Sequence, residues 1–206
     1  MNIGIIGAGN IGATAAGLFA NAGHRVAISN SRAPESLRDL VAELGPNVET
    51  TTVEDAAAFG EVVLVAIPFK DYETRPADQL AGKIVLDAMN YYAQRDGQID
   101  FDDLRSSEVG ARRLPRARLV KAFDSMYYET LATAGRKENR DRLVLFIARD
   151  KPEAKAVVSR LIEEIGFVPV DMGSSRDGGR KQQPGSPIYN NLMMTDRARE
   201  MLGQMG

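Results

Sequence analysis

Three glycines near the start of the chain constrain its fold more than any other feature. Residues 7–12 read GAGNIG, a GxGxxG spacing that follows a short apolar run at residues 3–6 and precedes a stretch of helical period. A strand, this turn and a helix in that order are typical of a dinucleotide-binding βαβ unit, in which the helix N-terminus faces the phosphates. Gly7 allows the tight turn, Gly9 lets the backbone approach a pyrophosphate, and Gly12 lets the helix pack on the sheet. The predicted phosphate-binding residues are Gly7, Gly9, Asn10, Ile11 and Gly12.

Short runs rich in Val and Ile alternate with stretches of helical period along most of the chain. After the first strand, such runs occupy residues 25–29, 48–51, 61–67, 83–87 and 118–123. This alternation is typical of a parallel sheet with helices on both faces. We therefore predict an α/β fold, a Rossmann doubly wound parallel sheet over residues 1–123, followed by a small C-terminal lobe over residues 124–206.

The C-terminal part is predicted to contain strands at residues 143–148 and 167–171 with a helix over 152–165 between them. The glycine-rich polar stretch 173–187 is interpreted as a loop that borders a second substrate, since long loops of this composition are often functional. A merely solvated loop explains its polarity equally well. Apolar residues at helical spacing over 186–205 predict a closing amphipathic helix, expected to cover the nucleotide-binding half or a dimer partner.

The second strand indicates which dinucleotide binds. An NAD enzyme carries Asp or Glu about 20 residues after the glycines, where the carboxylate accepts from the ribose 2′-hydroxyl. Here that window reads Ser29-Asn30-Ser31-Arg32, with no acidic residue before Glu35. Ser31 can donate a hydrogen bond to a 2′-phosphate, and Arg32 can add a charge-assisted contact. The window therefore favours NADP(H).

Other strand ends are expected to complete the crevice, because ligands of doubly wound sheets lie across the carboxyl ends of the strands. After the strand at 61–67 we expect an apolar wall beside the ribose or nicotinamide, and after the strand at 83–87 a hydrogen bond from Asn90 near the carboxamide. Ordinary turn chemistry explains each of these residues equally well. The residues of the predicted wall are Ala66, Ile67, Pro68 and Phe69.

Composition excludes several classes of chemistry. The chain of 206 residues has no cysteine and one histidine, which rules out thiolate catalysis, disulfides and sites built on His pairs or Cys clusters. We expect no metal and no catalytic acid or base. The formal net charge of −2 does not suggest a nucleic-acid or anionic-membrane partner. Without an apolar span or a secretion signal, the sequence is interpreted as a cytoplasmic protein.

Several segments together resemble a known family. GIIGAGNIG, AGHRVAISNSR, EVVLVAIPF, AGKIVLDAMN and VKAFDS are similar to NADP oxidoreductases dependent on the deazaflavin coenzyme F420, a family related to the cytoplasmic domains of eukaryotic metalloreductases. The resemblance implies a homodimer and direct hydride exchange between NADPH and a flavin-like partner. It also implies that Ser31 and Arg32 contact the 2′-phosphate, and that Pro68 and Phe69 lie at the nicotinamide.

The leading hypothesis is an oxidoreductase that passes hydride between NADP(H) and a small flat redox partner, either F420 or a flavin such as FMN or FAD. The partner is expected to stack over the nicotinamide against the 173–187 stretch and Tyr91. Two alternatives stay open: a non-catalytic NADP(H)-binding redox sensor, and an NADPH-dependent reductase of a small carbonyl compound.

Overall fold

A six-stranded parallel sheet lies at the centre of the computed structural model, which describes residues 1–99, 106–136, 141–149, 152–174 and 177–204. The strand order is β3-β2-β1-β4-β5-β6, and every pairing between neighbours is parallel. This order reverses between β1 and β4, as in a Rossmann fold, and the prediction of a doubly wound α/β sheet is confirmed. The strands are β1 (Asn2–Ile6), β2 (Arg25–Ser29), β3 (Val48–Thr50), β4 (Val62–Val65), β5 (Ile84–Asp87) and β6 (Arg118–Lys121).

Helices follow the strands on both faces of the sheet. Gly23, with φ of 90°, comes just after the end of the first helix, and Thr52 caps the third by accepting from the Asp55 amide at 3.1 Å. Two of the connections are 3-10 helices, Pro34–Leu37 and Phe69–Thr74. The α-helices of this part are α1 (Asn10–Asn21), α2 (Arg38–Leu44), α3 (Val53–Phe59), α4 (Ala93–Asp96), α5 (Ser106–Arg113) and α6 (Tyr128–Thr133).

Both faces of the sheet are buried, which explains why its strands are continuous apolar runs. Alternate residues of β4 enter different clusters: Val62 and Leu64 belong to the core beneath α1, and Val63 and Val65 to the core on the opposite face. A glycine at position 4 in β1 lets α3 pack closely, because a Cβ there would lie 2.1 Å from the Ala56 carbonyl oxygen.

The later part of the chain continues this core. It contains β7 (Val144–Ile147), α7 (Pro152–Glu164), β8 (Val168–Asp171), α8 (Asp177–Lys181) and α9 (Thr195–Gln204). Strands β7 and β8 pair in parallel, and an antiparallel bridge between Lys121 and Ala148 joins β7 to the main sheet. The core beneath α1 includes Leu145 and Leu161 from this part. A domain division at residues 123/124 stays a prediction.

Two predictions for the C-terminal part are wrong. The stretch 173–187 contains α8, and the turns after it include Gly185, with φ of 87°. The closing helix begins at Thr195 rather than at residue 186. A proline at position 187 and the left-handed Asn190, with φ of 52°, break the helix, and the Met193 carbonyl accepts from the Val144 amide instead. Residues 175–176 and Met205 lie outside the described residues.

Helix α9 packs on the β7–β8 sheet. This packing differs from the expectation that the helix covers the nucleotide-binding half. Ala198 is fully buried in a cluster with Val144, Phe146 and Val170, and Met201 and Leu202 pack against it. The apolar positions of the helix therefore cover the outer face of the smaller sheet. The predicted dimer contact stays a prediction.

Deleting residues from Thr195 onward should lower the thermal stability. The deletion exposes Val144, Phe146 and Val170, and loss of such contacts costs about 2–3 kcal/mol, or roughly 4–12 °C in melting temperature. Differential scanning calorimetry measures the shift, with Arg199→Ala as the control because Arg199 is an exposed residue of the same helix. A melting curve identical to that of the full chain would contradict this packing.

No helix within the described ranges is both long and apolar enough to span a bilayer.

Candidate functional site

The turn between β1 and α1 requires glycine at two positions. Gly7 has φ of 106°, and a Cβ there would lie 2.4 Å from the Ala66 carbonyl oxygen. A Cβ on Gly12 would lie 1.8 Å from the Gly7 carbonyl oxygen, so any larger residue would push α1 away from the turn. The predicted structural roles of these two glycines agree with this geometry.

Gly9 differs from the other two glycines because it faces open space. It is the N-cap of α1, and nothing lies within 4 Å of the position of a Cβ. The first amide groups of α1 have no partner within the helix, which leaves a positive partial charge at its N-terminus. Neither a side-chain cap nor an acidic residue in the first turn offsets this charge. Backbone donors beside an open surface form a suitable cradle for a diphosphate.

A continuous groove runs along the carboxyl ends of the strands. It consists of two cavities of about 650 and 400 Å³, here called the β2-side and β5-side cavities, which share Gly9, Ala66, Ile67 and Pro68. The β2-side cavity is also lined by Ile6, Gly7, Ala8, Asn30, Ser31, Arg32, Val53, Glu54, Asp71 and Thr74. The β5-side cavity is also lined by Asn10, Ile11, Ala88, Asn90, Tyr92, Arg95, Phe123, Asp124, Met126, Tyr127, Tyr128, Tyr189 and Asn190.

The loop after β2 presents polar groups to the β2-side cavity. Ser31 and Arg32 are both exposed in its wall. The Asn30 side chain holds the loop, since its Oδ1 accepts from the Arg32 amide at 2.8 Å and its Nδ2 donates to Ser36 Oγ at 2.9 Å. This loop offers a hydroxyl and a guanidinium beside each other, which together match a phosphate monoester.

Asn90 lines the β5-side cavity and has a buried acceptor without a partner. Its side chain is buried, and its Nδ2 donates to the Asp124 carbonyl oxygen at 2.6 Å. Its Oδ1 is buried without a hydrogen-bond partner in the structure. A buried acceptor of this kind is costly unless a ligand supplies a donor, and the amide of a nicotinamide is such a donor.

Buried charges lie beneath Asn90. Lys121 Nζ donates to the Met89 carbonyl oxygen and lies 3.7 Å from Asp87 Oδ1 and 3.3 Å from Asp124 Oδ2. Burial raises the pKa of Asp124 to about 6, although Lys121 opposes the shift. Burial acts to lower the pKa of Lys121, but the carboxylates of Asp124 and Asp87 outweigh it, so this pKa is raised above its usual value.

Aromatic side chains form the outer wall of the same cavity. The hydroxyls of Tyr92 and Tyr189 hydrogen-bond to each other and join the segment after β5 to the segment before α9. Burial and this hydrogen bond raise the pKa of Tyr189, which keeps its phenol neutral. The rings of Tyr127 and Tyr128 lie 4.9 Å apart, and Arg95 lies 4.8 Å above the Tyr92 ring. A flat aromatic molecule is a suitable occupant of such a wall.

Three of the predicted site residues do not line the groove. Ser29 is buried, and its Oγ donates to the Ile5 carbonyl oxygen at 3.0 Å. Phe69 is 1% exposed and stacks on Tyr72 with the ring centroids 5.3 Å apart. Gly12 is packed against the turn, as described above. The other predicted residues, Gly7, Gly9, Asn10, Ile11, Asn30, Ser31, Arg32, Ala66, Ile67, Pro68 and Asn90, line one cavity or both.

The expected neighbours of a second substrate are also different. Tyr91 does not line either cavity; its hydroxyl donates to the Gly97 carbonyl oxygen at 2.7 Å, and Tyr92 lines the cavity instead. No described residue of 173–187 lines the groove, although Gln182 can donate from its amide nitrogen to Asp124 Oδ1 at 2.9 Å. Within the described residues, no cluster of His, Asp or Glu could hold a metal ion.

The most informative residues that the sequence analysis missed are Tyr92, Arg95 and Tyr189. They line the cavity because the segment after β5 contacts the segment before α9. Tyr92 and Tyr189, which join these two segments, are 97 residues apart in the sequence. The pairing of two tyrosines at this distance has no local sequence signal.

The strand order and the glycine turn define the class of this protein: it has a Rossmann fold with the turn that is typical of dinucleotide-binding proteins. Residues 2–91 match the family model described as "NADP oxidoreductase coenzyme F420-dependent". The matched residues include the first five strands of the sheet, and the match confirms the resemblance that the sequence motifs indicate.

Solved structures and curated proteins are also similar to this chain. A hypothetical protein, SMa0349 from Sinorhizobium meliloti, is 31% identical, with a TM-score of 0.82 and coverage of 95% of this chain and 96% of that one. A putative F420-dependent NADP-reductase from Arthrobacter sp. FB24 is 25% identical, with a TM-score of 0.72 and coverage of 99% and 90%. Metalloreductase STEAP3 of Rattus norvegicus is 33% identical over 174 residues, which are 84% of this chain. The chain spans about a third of the length of that relative, 34%.

Proposed function

We propose that this protein transfers hydride between NADP(H), bound along the groove, and a flat redox partner, deazaflavin or flavin, held in the β5-side cavity. One observation carries the proposal. The open glycine turn, the Ser31–Arg32 pair and the unpaired Asn90 Oδ1 lie along a single groove, in the order that the parts of a dinucleotide require.

In this proposal the β2-side cavity holds the adenosine end of the cofactor. Ser31 Oγ and the Arg32 guanidinium bind the 2′-phosphate, and the backbone at Gly9, Asn10 and Ile11 binds the diphosphate. The support is the exposure of both side chains and the open space at Gly9. The absence of an acidic residue from 29–32 favours a phosphate over a free hydroxyl.

The nicotinamide end lies across Ala66, Ile67 and Pro68 into the β5-side cavity. There Asn90 Oδ1 accepts from the carboxamide, which fixes the plane of the ring. These three apolar residues belong to both cavities and therefore form the floor that links the two ends of the cofactor.

The second substrate is a flat molecule that stacks over the nicotinamide. Hydride transfer requires the two reacting carbon or nitrogen atoms to approach to about 3–3.5 Å, which parallel stacking achieves. The tyrosine-rich wall and a cavity of about 400 Å³ support an aromatic partner. The matched family and the Arthrobacter protein are described as F420-dependent, which points to F420, and a flavin presents a similar flat ring system.

The chain's own task in this reaction is to position its two ligands and exclude water. NADP(H) supplies the hydride, and the protein supplies orientation and electrostatics. We propose no side chain as an obligatory general acid or base. The proton that accompanies reduction of the partner comes from solvent.

A panel of acceptors tests the proposal. NADPH oxidation is followed with a deazaflavin, free FMN and FAD, a ferric chelate and small carbonyl compounds. Oxidation with the deazaflavin or a flavin, and not with the carbonyl compounds, is the expected result. Activity confined to the carbonyl compounds would overturn the proposal in favour of a carbonyl reductase, and tight NADPH binding without oxidation by any acceptor would favour a sensor.

A further inference from the structure

Four buried side chains of alternating charge form a line that ends at the β5-side cavity. They are Arg75, Asp87, Lys121 and Asp124, exposed by 1%, 1%, 4% and 5% respectively. Lys121 lies between the two carboxylates at 3.7 and 3.3 Å. The guanidinium of Arg75 acts on Asp87 from the other side, and both side chains lie within 4 Å of the position of a Cβ at Gly110.

Asp124 is the member of this line that lines the cavity. Asp87 has a cation on each side and Lys121 an anion on each side, so their charges are balanced by neighbours. Among the described residues, Lys121 is the cation in ion-pair contact with Asp124. The line therefore ends in a carboxylate that is fully buried behind the cavity wall.

Lys121 offsets part of this charge, and the other groups described around Asp124 do not offset it directly. Gln182 and Tyr189 are neutral, and the raised pKa of Tyr189 keeps its phenol protonated. Arg95 also lines the cavity, but its guanidinium forms an ion pair with Asp96 at 2.8 Å and its side chain is 43% exposed to solvent. The carboxylate of Asp124 is thus a buried negative group beside Asn90, whose Nδ2 donates to the Asp124 carbonyl oxygen.

This charge matters because the two redox forms of nicotinamide differ in charge. When hydride leaves C4 with its two electrons, the neutral reduced ring becomes a cation, and the partner gains the hydride. The adenosine, the 2′-phosphate and the diphosphate stay the same. A buried carboxylate near the ring therefore stabilises the oxidised form more than the reduced form, in surroundings where water screens the interaction poorly.

We propose that Asp124 makes this site bind NADP⁺ more tightly than NADPH, and so biases the bound cofactor toward giving up hydride. The inference rests on the proposed function, since it needs NADP(H) in the groove. Asp124 acts as a specificity-determining residue for the redox state of the cofactor, with Lys121 holding the carboxylate in place.

The test compares dissociation constants for NADP⁺ and NADPH, measured by calorimetry or fluorescence on the full chain. In Asp124→Asn the ratio of the NADPH constant to the NADP⁺ constant should fall by about tenfold, which is about 1.4 kcal/mol. The control is Asp78→Asn, which removes the same charge from a carboxylate that is 88% exposed and paired with Arg116. The control should leave the ratio unchanged.

The wild-type protein supplies a second readout if the variant fails to fold. Because burial raises the pKa of Asp124 to about 6, its carboxylate is ionised above that pH and protonated below it. The groups that face it are Lys121, Asp87, Tyr189 and Gln182. Preference for NADP⁺ should therefore be present at about pH 8 and lost at about pH 5. The 2′-phosphate also titrates, but it is common to both ligands and cancels in the ratio.

The outcomes separate this inference from the proposed function. A lowered ratio in Asp124→Asn, or loss of the preference in acid, supports it. If wild type binds both forms and neither Asp124→Asn nor acid changes the ratio by more than twofold, the inference is overturned while the proposed function stands. If wild type binds neither form, the proposed function fails, and the inference fails with it.

Discussion

Replacing Gly9 by alanine should leave the fold intact and weaken NADPH binding by about 10- to 100-fold, the effect of losing one or two hydrogen bonds to a charged group. The backbone of Gly9 has φ of −77° and ψ of −171°, which alanine adopts without strain, and nothing lies within 4 Å of the new Cβ. The methyl group would instead occupy the space that we assign to the diphosphate. The melting temperature should change by less than about 2 °C.

Replacing Gly12 by alanine should mainly lower the stability of the fold, whereas Gly9→Ala should mainly lower NADPH affinity. A Cβ there would lie 1.8 Å from the Gly7 carbonyl oxygen, so α1 and the turn must separate. Overpacking against backbone costs about 3 kcal/mol, or roughly 6–12 °C in melting temperature.

The two variants therefore form a matched pair with one methyl group added to each. Calorimetry gives the stability and equilibrium titration gives NADPH affinity in the same preparations. A stable Gly9→Ala that binds NADPH as tightly as wild type would contradict the diphosphate site at the N-terminus of α1.

Replacing Arg32 by alanine should weaken NADPH binding by about 10- to 100-fold and change NADH binding by less than about threefold. One charge-assisted hydrogen bond to the 2′-phosphate contributes about 1.5–3 kcal/mol, and NADH lacks that phosphate. Arg32 is exposed in the wall of the β2-side cavity, and its amide is held by Asn30 Oδ1, so the loop should keep its shape in the variant.

Arg38→Ala is the control for Arg32. Arg38 is exposed at the start of α2 and lines neither cavity, so its loss removes the same charge from a nearby surface. Titrations with NADPH and NADH distinguish a specific contact with the 2′-phosphate from the general electrostatic effect of removing one positive charge. Equal losses of NADPH and NADH affinity in Arg32→Ala would show that Arg32 does not read the 2′-phosphate.

Much of the fold could be predicted because its signals are local. The runs that become β1, β2 and β4 are apolar on both faces, and the glycines between them occupy positions that the backbone requires. The nucleotide-binding turn belongs to a single βαβ unit. Its residues are close in the sequence as well as in space, so spacing alone could identify it.

The closing helix was predicted too long because apolar residues at helical spacing also occur in a segment that is not helical. Ile188 and Leu192 fit the apolar period, but Asn190 between them is left-handed and donates its amide to the Ser125 carbonyl oxygen. Met194 forms an isolated bridge with Leu143. Contacts with distant parts of the chain thus overrode the local pattern.

The β5-side cavity depends on contacts between residues that are distant in the sequence, and on the direction in which individual side chains point. Tyr91 and Tyr92 are adjacent, yet Tyr91 contacts Phe69 with its ring edge and Tyr92 meets Tyr189 across the cavity. Neighbouring residues of an extended segment point to opposite sides, so a shift of one position exchanges their roles. Sequence spacing identified the segment but not which tyrosine lines the cavity.

Isotope labelling distinguishes direct hydride transfer between NADPH and the partner from reduction with hydrogen taken from solvent. NADPH carrying deuterium at both C4 positions is mixed with the protein and a deazaflavin, and the reduced product is analysed by mass spectrometry. A deazaflavin accepts hydride at carbon, so the transferred deuterium does not exchange with water. Direct transfer should give one deuterium in each molecule of reduced deazaflavin. Reduced product without deuterium, or no reduction although NADPH binds, would contradict it.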